Sequence, residues 1–235
     1  MKNVKYLIVG CGRSGTGFMS HAVSLTGKSC GHENVFHVSG IDASSPLEFE
    51  CSWYAVPHLS QIPRSTRILH LVRNPQSVIR SFYRIGLFAP TIAQHASCGR
   101  PKKFAKTLVT DPSAFLSRIR YVRAHRQFFR NYTDVMDTPC EIARANRYWT
   151  HWNTSIENHA ANTGADYLRV RLEDVHDRSR EIAAFLGLPR LPLNHQKKNA
   201  KVFYERAELE NLWLSPETEQ LSRHYGYNTV QAAAA

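Results

Sequence analysis

Residues 6–19 read YLIVGCGRSGTGFM, an apolar run that breaks into glycines just before a helical pattern begins. Tyr6–Val9 is short and wholly apolar, the pattern of a strand buried on both faces. From Thr16 to Leu25 the apolar residues Phe18, Met19, Ala22, Val23 and Leu25 recur at helical spacing. Between the two, glycines let the backbone turn sharply and let an anion approach. The helix that follows offers unpaired N–H groups and the positive end of its dipole. The stretch therefore predicts a phosphate-binding turn, and two kinds of loop fit it. Gly10, Gly12 and Gly15 match GxGxxG, the dinucleotide fingerprint. Gly10 and Gly15 also have the GxxxxG spacing of a kinase-type loop, but Thr16 stands where that loop carries lysine. The dinucleotide fingerprint also requires a second strand ending in an acid about 20 residues on. The acid is present as Glu33, yet nothing in LTGKSCGHENVF before it reads as a strand.

Working outward, RILHLV at 67–72 predicts a second buried strand and YLRVR at 167–171 a third. Pro75 opens a helical pattern, QSVIRSFYRI, at a position where proline is tolerated. Residues 86–112 mix glycine, proline and lysine and read as loop or short elements. Helices are expected at 113–130, at 140–161, over SREIAAFLGL up to Gly187, and at 216–224. Strands alternating with helices predict an α/β fold. It is a three-layer arrangement, a mostly parallel central sheet with helices on both faces, and a P-loop-like nucleotide-binding architecture. With 235 residues, no internal repeat and no low-complexity linker, a single domain over 1–235 is expected.

The composition narrows the function classes. At 43% hydrophobic and 21% charged residues the chain reads as an ordinary globular protein, and no stretch is long and apolar enough to span a membrane. Five cysteines, odd in number and widely spaced, support neither a disulfide framework nor a zinc site. No signal peptide is read at the N-terminus, and the expectation is a reducing, cytoplasmic setting. A net charge of +11 calls for anionic partners. No run of four basic residues and no helix-turn-helix, zinc-finger or RNP pattern points that charge at nucleic acid.

Two blocks together resemble the sulfotransferases that use 3′-phosphoadenosine 5′-phosphosulfate. GCGRSGTGFM is similar to that family's 5′-phosphosulfate loop, in which a cation and Ser-Gly-Thr follow the first strand. LHLVRNPQSVIRSFYR is similar to its 3′-phosphate motif, an arginine at a strand end and a serine eight residues later, here Arg73 and Ser81. YLRVRLEDV and EIAAFLGL resemble the late strand and helix, so that the likeness covers roughly residues 5–85 and 141–190. It implies sulfuryl transfer from that donor to a hydroxyl or amine, with adenosine 3′,5′-bisphosphate as product and no metal. The loop and Glu33 look closer to the carbohydrate sulfotransferases, which implies a glycan or other hydroxylated acceptor. A variable acceptor-binding region is then expected near 86–140, with a C-terminal basic segment at 194–206 carrying Lys197, Lys198 and Lys201.

The resemblance also assigns roles. Arg13 would hold the charge that builds on the departing phosphate. Ser14, Gly15, Thr16, Gly17 and Phe18 would line the donor, and Arg73 with Ser81 would hold the 3′-phosphate. Glu33, 20 residues after Arg13, is the candidate general base, with its neighbour His32 as rival and His58 a distant third. Only one of the adjacent pair is expected to face the donor easily. Trp53 in ECSWYAVP is read as core before it is read as an adenine platform. Tyr148, Trp149 and Trp152 are read as packing, and the arginines from 118 to 130 as a solvated helix face.

Overall fold

The structure is a computed structural model that describes residues 4–97, 101–193 and 212–227. The basic segment expected at 194–206, with its three lysines, lies outside the described residues. The chain divides into two compact units, one of Met1–Arg73 with His151–Ala200, the other of Asn74–Thr150 with Lys201–Ala235.

The first unit holds β1 (Tyr6–Gly10), α1 (Thr16–Ser24), β2 (Cys30–His32), the two-residue pair β3 (Phe36–His37) and β4 (Gly40–Ile41), and β5 (Phe49–Cys51). A 3-10 stretch, Trp53–Gln61, leads to β6 (Arg67–Val72). Among the described residues five strands form one sheet in the order β2-β5-β1-β6-β7, where β7 is Tyr167–Arg171, and every pairing in it is parallel. Helices flank the sheet, as the alternating pattern predicts. β1 is central, so its residues Leu7, Ile8 and Val9 are fully buried, which is why the sequence there is a continuous apolar run. Ile8, Leu69 and Val170 of neighbouring strands share one core with Met19 and Val23 of α1, and with Ile182 of α7 (Ser179–Phe185). Gly10 lies opposite Leu71 in the register, and a Cβ there would stand 2.2 Å from the Leu71 carbonyl oxygen. The turn after β1 thus begins where two backbones touch.

Two of the five strands depart from the sequence expectation. β2 and β5 have three residues each and include Gly31, His32 and Glu50, so no apolar run announces them. β2 in particular corrects the expectation that no strand precedes Glu33. It pairs with β5, however, and β5 separates it from β1. In the dinucleotide fold the second strand lies directly beside the first, so the GxGxxG match does not carry the dinucleotide reading here.

The second unit holds α2 (Pro75–Ile85), α3 (Ile92–Ser97), α4 (Pro101–Thr110), α5 (Pro112–Tyr132), the first part of α6 (Glu141–Thr163) and α8 (Pro216–His224). α2 starts as its sequence dictates: the Asn74 side chain accepts the Ser77 N–H at 3.3 Å, and Pro75 occupies the first turn. α5 is capped in the same way by Asp111, which accepts the Ala114 N–H at 3.0 Å. The core of this unit is aromatic, with Phe82, Phe88, Phe129 and Tyr148 meeting at ring-centroid distances of 5.0–5.5 Å. Tyr148 and Trp149 are fully buried, as is Trp152 in the first unit, so all three are packing residues.

Candidate active site

The β1–α1 turn is built from its backbone outward. The Ser14 N–H closes a turn onto the Cys11 carbonyl at 3.1 Å, and Ser14 is fully buried. Gly15 is the N-cap of α1 with φ 99°, a left-handed conformation that glycine adopts freely. No side chain caps α1 and no acid stands in its first turn, so its N-terminal N–H groups and dipole end keep their affinity for an anion. Thr16 and Gly17 form the first turn of the helix. Phe18 is half-buried against the core, with its ring 6.3 Å from that of His176. The buried Cys11 thiol is pushed up to about 12 by desolvation, opposed by its hydrogen bond to Ser14 and by the Arg73 charge, and so stays protonated.

Arg73 stands just beyond β6, and its Nη1 donates to the Arg13 carbonyl oxygen at 2.9 Å. That bond joins the end of β6 to the tip of the glycine turn. Arg13 itself is exposed and has φ 72°. Thr16 Oγ1 lies 3.5 Å from His32 Nε2, and His32 Nε2 lies 3.8 Å from Glu33 Oε1. His32 thus stands beside the start of α1, and the Glu33 carboxylate stands beside His32. The reason is local: Glu33 has φ 61°, which curls the chain and brings its carboxylate back toward the histidine. Burial pushes the Glu33 carboxyl above its ordinary range, opposed by His32 and by a hydrogen bond from the Trp53 side chain.

Trp53 is 8% exposed, its ring 3.8 Å from that of Tyr54 and 6.3 Å from that of Trp152. It is a core residue that also grips Glu33, a role sequence reading missed. Glu50 was missed as well. It sits fully buried in β5, and its Oε1 accepts the N–H groups of Asn34 at 2.9 Å and Val35 at 3.1 Å. It therefore clamps the segment that carries Glu33. A single acid inside the run FEC was the only signal for it. His58 is buried on the 3-10 stretch, where desolvation lowers its proton affinity. Ser81 lies half-buried on α2, in the second unit.

No family model matches the chain, and no curated protein does. Among solved structures it is similar to a sulfotransferase domain from the curacin biosynthetic pathway, with a TM-score of 0.58 over 96% of this chain and 98% of that one. The fold is sulfotransferase-like. At 12% identity the likeness concerns architecture alone. Within the sulfotransferase-like fold of this chain, the first unit gathers Arg13, Thr16, His32, Glu33 and Arg73 around one turn.

Proposed function

We propose that the chain transfers a sulfuryl group from 3′-phosphoadenosine 5′-phosphosulfate to a hydroxyl or amine, with carbohydrate as the acceptor class. The observation that carries this reading is a glycine turn fastened at its tip by Arg73, followed by a helix start where Thr16 meets His32 and His32 in turn meets the Glu33 carboxylate. The donor supplies an activated sulfuryl group on a good phosphate leaving group. In this reading the backbone N–H groups of Ser14, Gly15, Thr16 and Gly17 hold the 5′-phosphosulfate, and Phe18 flanks it. Arg13 neutralises charge on the departing phosphate, a kind of contact worth about 3–4 kcal/mol in a transition state. Glu33 takes the acceptor's proton, and its raised proton affinity brings it closer to the range a base requires. His32 shares that place as a partner within ion-pair distance of Glu33. Arg73 receives the 3′-phosphate as a planar fork suited to an oxyanion. Ser81 joins it on the strength of its eight-residue spacing alone. Guanidinium and backbone donors provide the charge stabilisation, so no metal enters the scheme.

A melting-shift panel tests the donor assignment. Adenosine 3′,5′-bisphosphate at a hundred times its Kd should raise Tm by about 5–10 °C. NAD and ATP should shift it far less, and Arg73→Ala should lose most of the gain. Equal shifts with all three ligands would overturn the reading.

A further inference from the structure

Residues 74–133 carry eleven lysines and arginines against a single acid, Asp111, a surplus of ten within a chain whose net charge is +11. That acid is already committed, since Asp111 caps α5 and also bonds the Ser113 hydroxyl. α5 then presents Arg123, Arg126 and Arg130 at spacings of three and four, along one stripe. The stripe lines a groove of about 550 Å³, completed by Gln127 and, from the segment leading into α3, by Pro90 and Thr91. Among the described residues no carboxylate lines that groove, and none of the three arginines makes a salt bridge.

We propose that this groove is an anion-binding site for the sulfate, phosphate or carboxylate group of a ligand. Arg126 is held in place, donating from Nη1 to the Ala89 carbonyl at 2.7 Å and from Nη2 to the Pro90 carbonyl at 2.9 Å. Its plane is therefore fixed before a ligand arrives, which lowers the entropic cost of binding. Arg123 and Arg130 flank it, both exposed. Burial lowers the proton affinity of Arg126, and the nearby charges of Arg130 and Arg144 lower it further. Like charges at this spacing destabilise a helix. A merely solvated basic face relieves that repulsion with acids one turn away, and α5 contains none. A bound oxyanion would relieve it, and guanidinium pairs bind one through charge-assisted hydrogen bonds.

The test is calorimetric titration of the full chain with glucose 6-sulfate, glucose 6-phosphate and glucuronate, with glucose as the uncharged control. Saturating adenosine 3′,5′-bisphosphate is present in one series and absent in another. Expected is one site for at least one of the charged sugars, and which of them binds names the anion. In the double variant Arg123→Ala/Arg130→Ala, the affinity should fall at least tenfold while bisphosphate binding is unchanged. Both side chains are exposed and their mutual repulsion is removed, so the double variant should melt no lower than the parent. Equal affinity in parent and variant, binding of glucose as tight as its charged relatives, or no heat from any charged sugar would each overturn the proposal. The series without bisphosphate stands by itself, so failure of the donor assignment does not touch this result.

Discussion

Arg13 and Glu33 are the non-glycine residues with left-handed φ among the described residues. Such backbone costs about 1–2 kcal/mol per residue, and strain of this kind gathers where a site needs it. At Arg13 glycine would remove the strain, offset partly by the entropy glycine adds to the unfolded chain. Arg13→Gly should therefore raise unfolding stability by about 0.5–1 kcal/mol, while bisphosphate affinity drops tenfold or more. Denaturant melts and calorimetry on the same variant read the two opposed effects, and a fall in both quantities would count against the role. Glu50 gives a second residue-scale prediction. Burial pushes its carboxyl up to about 7, opposed by N–H groups of Asn34, Phe36 and Val35 and reinforced by the Glu33 charge. The folded state therefore keeps a proton that the unfolded chain releases, so this group's contribution to stability is lost as pH rises from about 4.5 towards 7. The buried, neutral His70, His95 and His125 pull the opposite way, with proton affinities brought down to about 3, 3 and 4 chiefly by desolvation. The clean readout is thus a difference. Glu50→Gln should gain about 2–3 kcal/mol relative to the parent between pH 5 and pH 8, measured by urea unfolding at each pH. A difference that does not change with pH would show that Glu50 is ionised throughout.

At the scale of elements, the contact between β1 and β6 is the tightest constraint on the turn. Gly10→Ala must push the Cβ away from the Leu71 carbonyl and from Ser14 Cβ, 3.3 Å off. A loss of about 1–3 kcal/mol is expected in urea unfolding, and an unchanged midpoint would mean that the strands part without cost. This scale also explains what was legible. β1, β6 and β7 announce themselves because they carry five or six residues with apolar character. β2 and β5 do not, because three residues cannot establish a period and theirs include glycine, histidine and glutamate. α2 and α8 are readable from a capping Asn74 or Ser215 followed by proline, whereas α4 hides in a stretch rich in lysine and flanked by glycine and proline. The site divides in the same way. Arg13 to Gly17 and Arg73 sit at the ends of legible strands, so their neighbourhood follows from the parallel pairing. Trp53 against Glu33, and Glu50 against Asn34 and Val35, depend on β5 lying between β1 and β2, which no local pattern encodes.

For the molecule as a whole, charge and chemistry are divided along the chain: residues 74–133 hold nearly all the positive surplus, while the glycine turn and its carboxylate belong to the other unit. The sheet that carries the turn is knit from distant pieces. Its central strand starts at Tyr6, but the neighbours of that strand come from Phe49–Cys51 and Arg67–Val72, and the edge strand β7 comes from Tyr167–Arg171. Pairings this far apart in sequence close slowly. A ribosome delivers about 5–20 residues per second, so the glycine turn leaves the exit tunnel seconds before the arginine that fastens it. A chain paused between those two points would display the loop without its clasp, and under the proposed function it should stay blind to the bisphosphate until the fourth strand of the sheet is in hand.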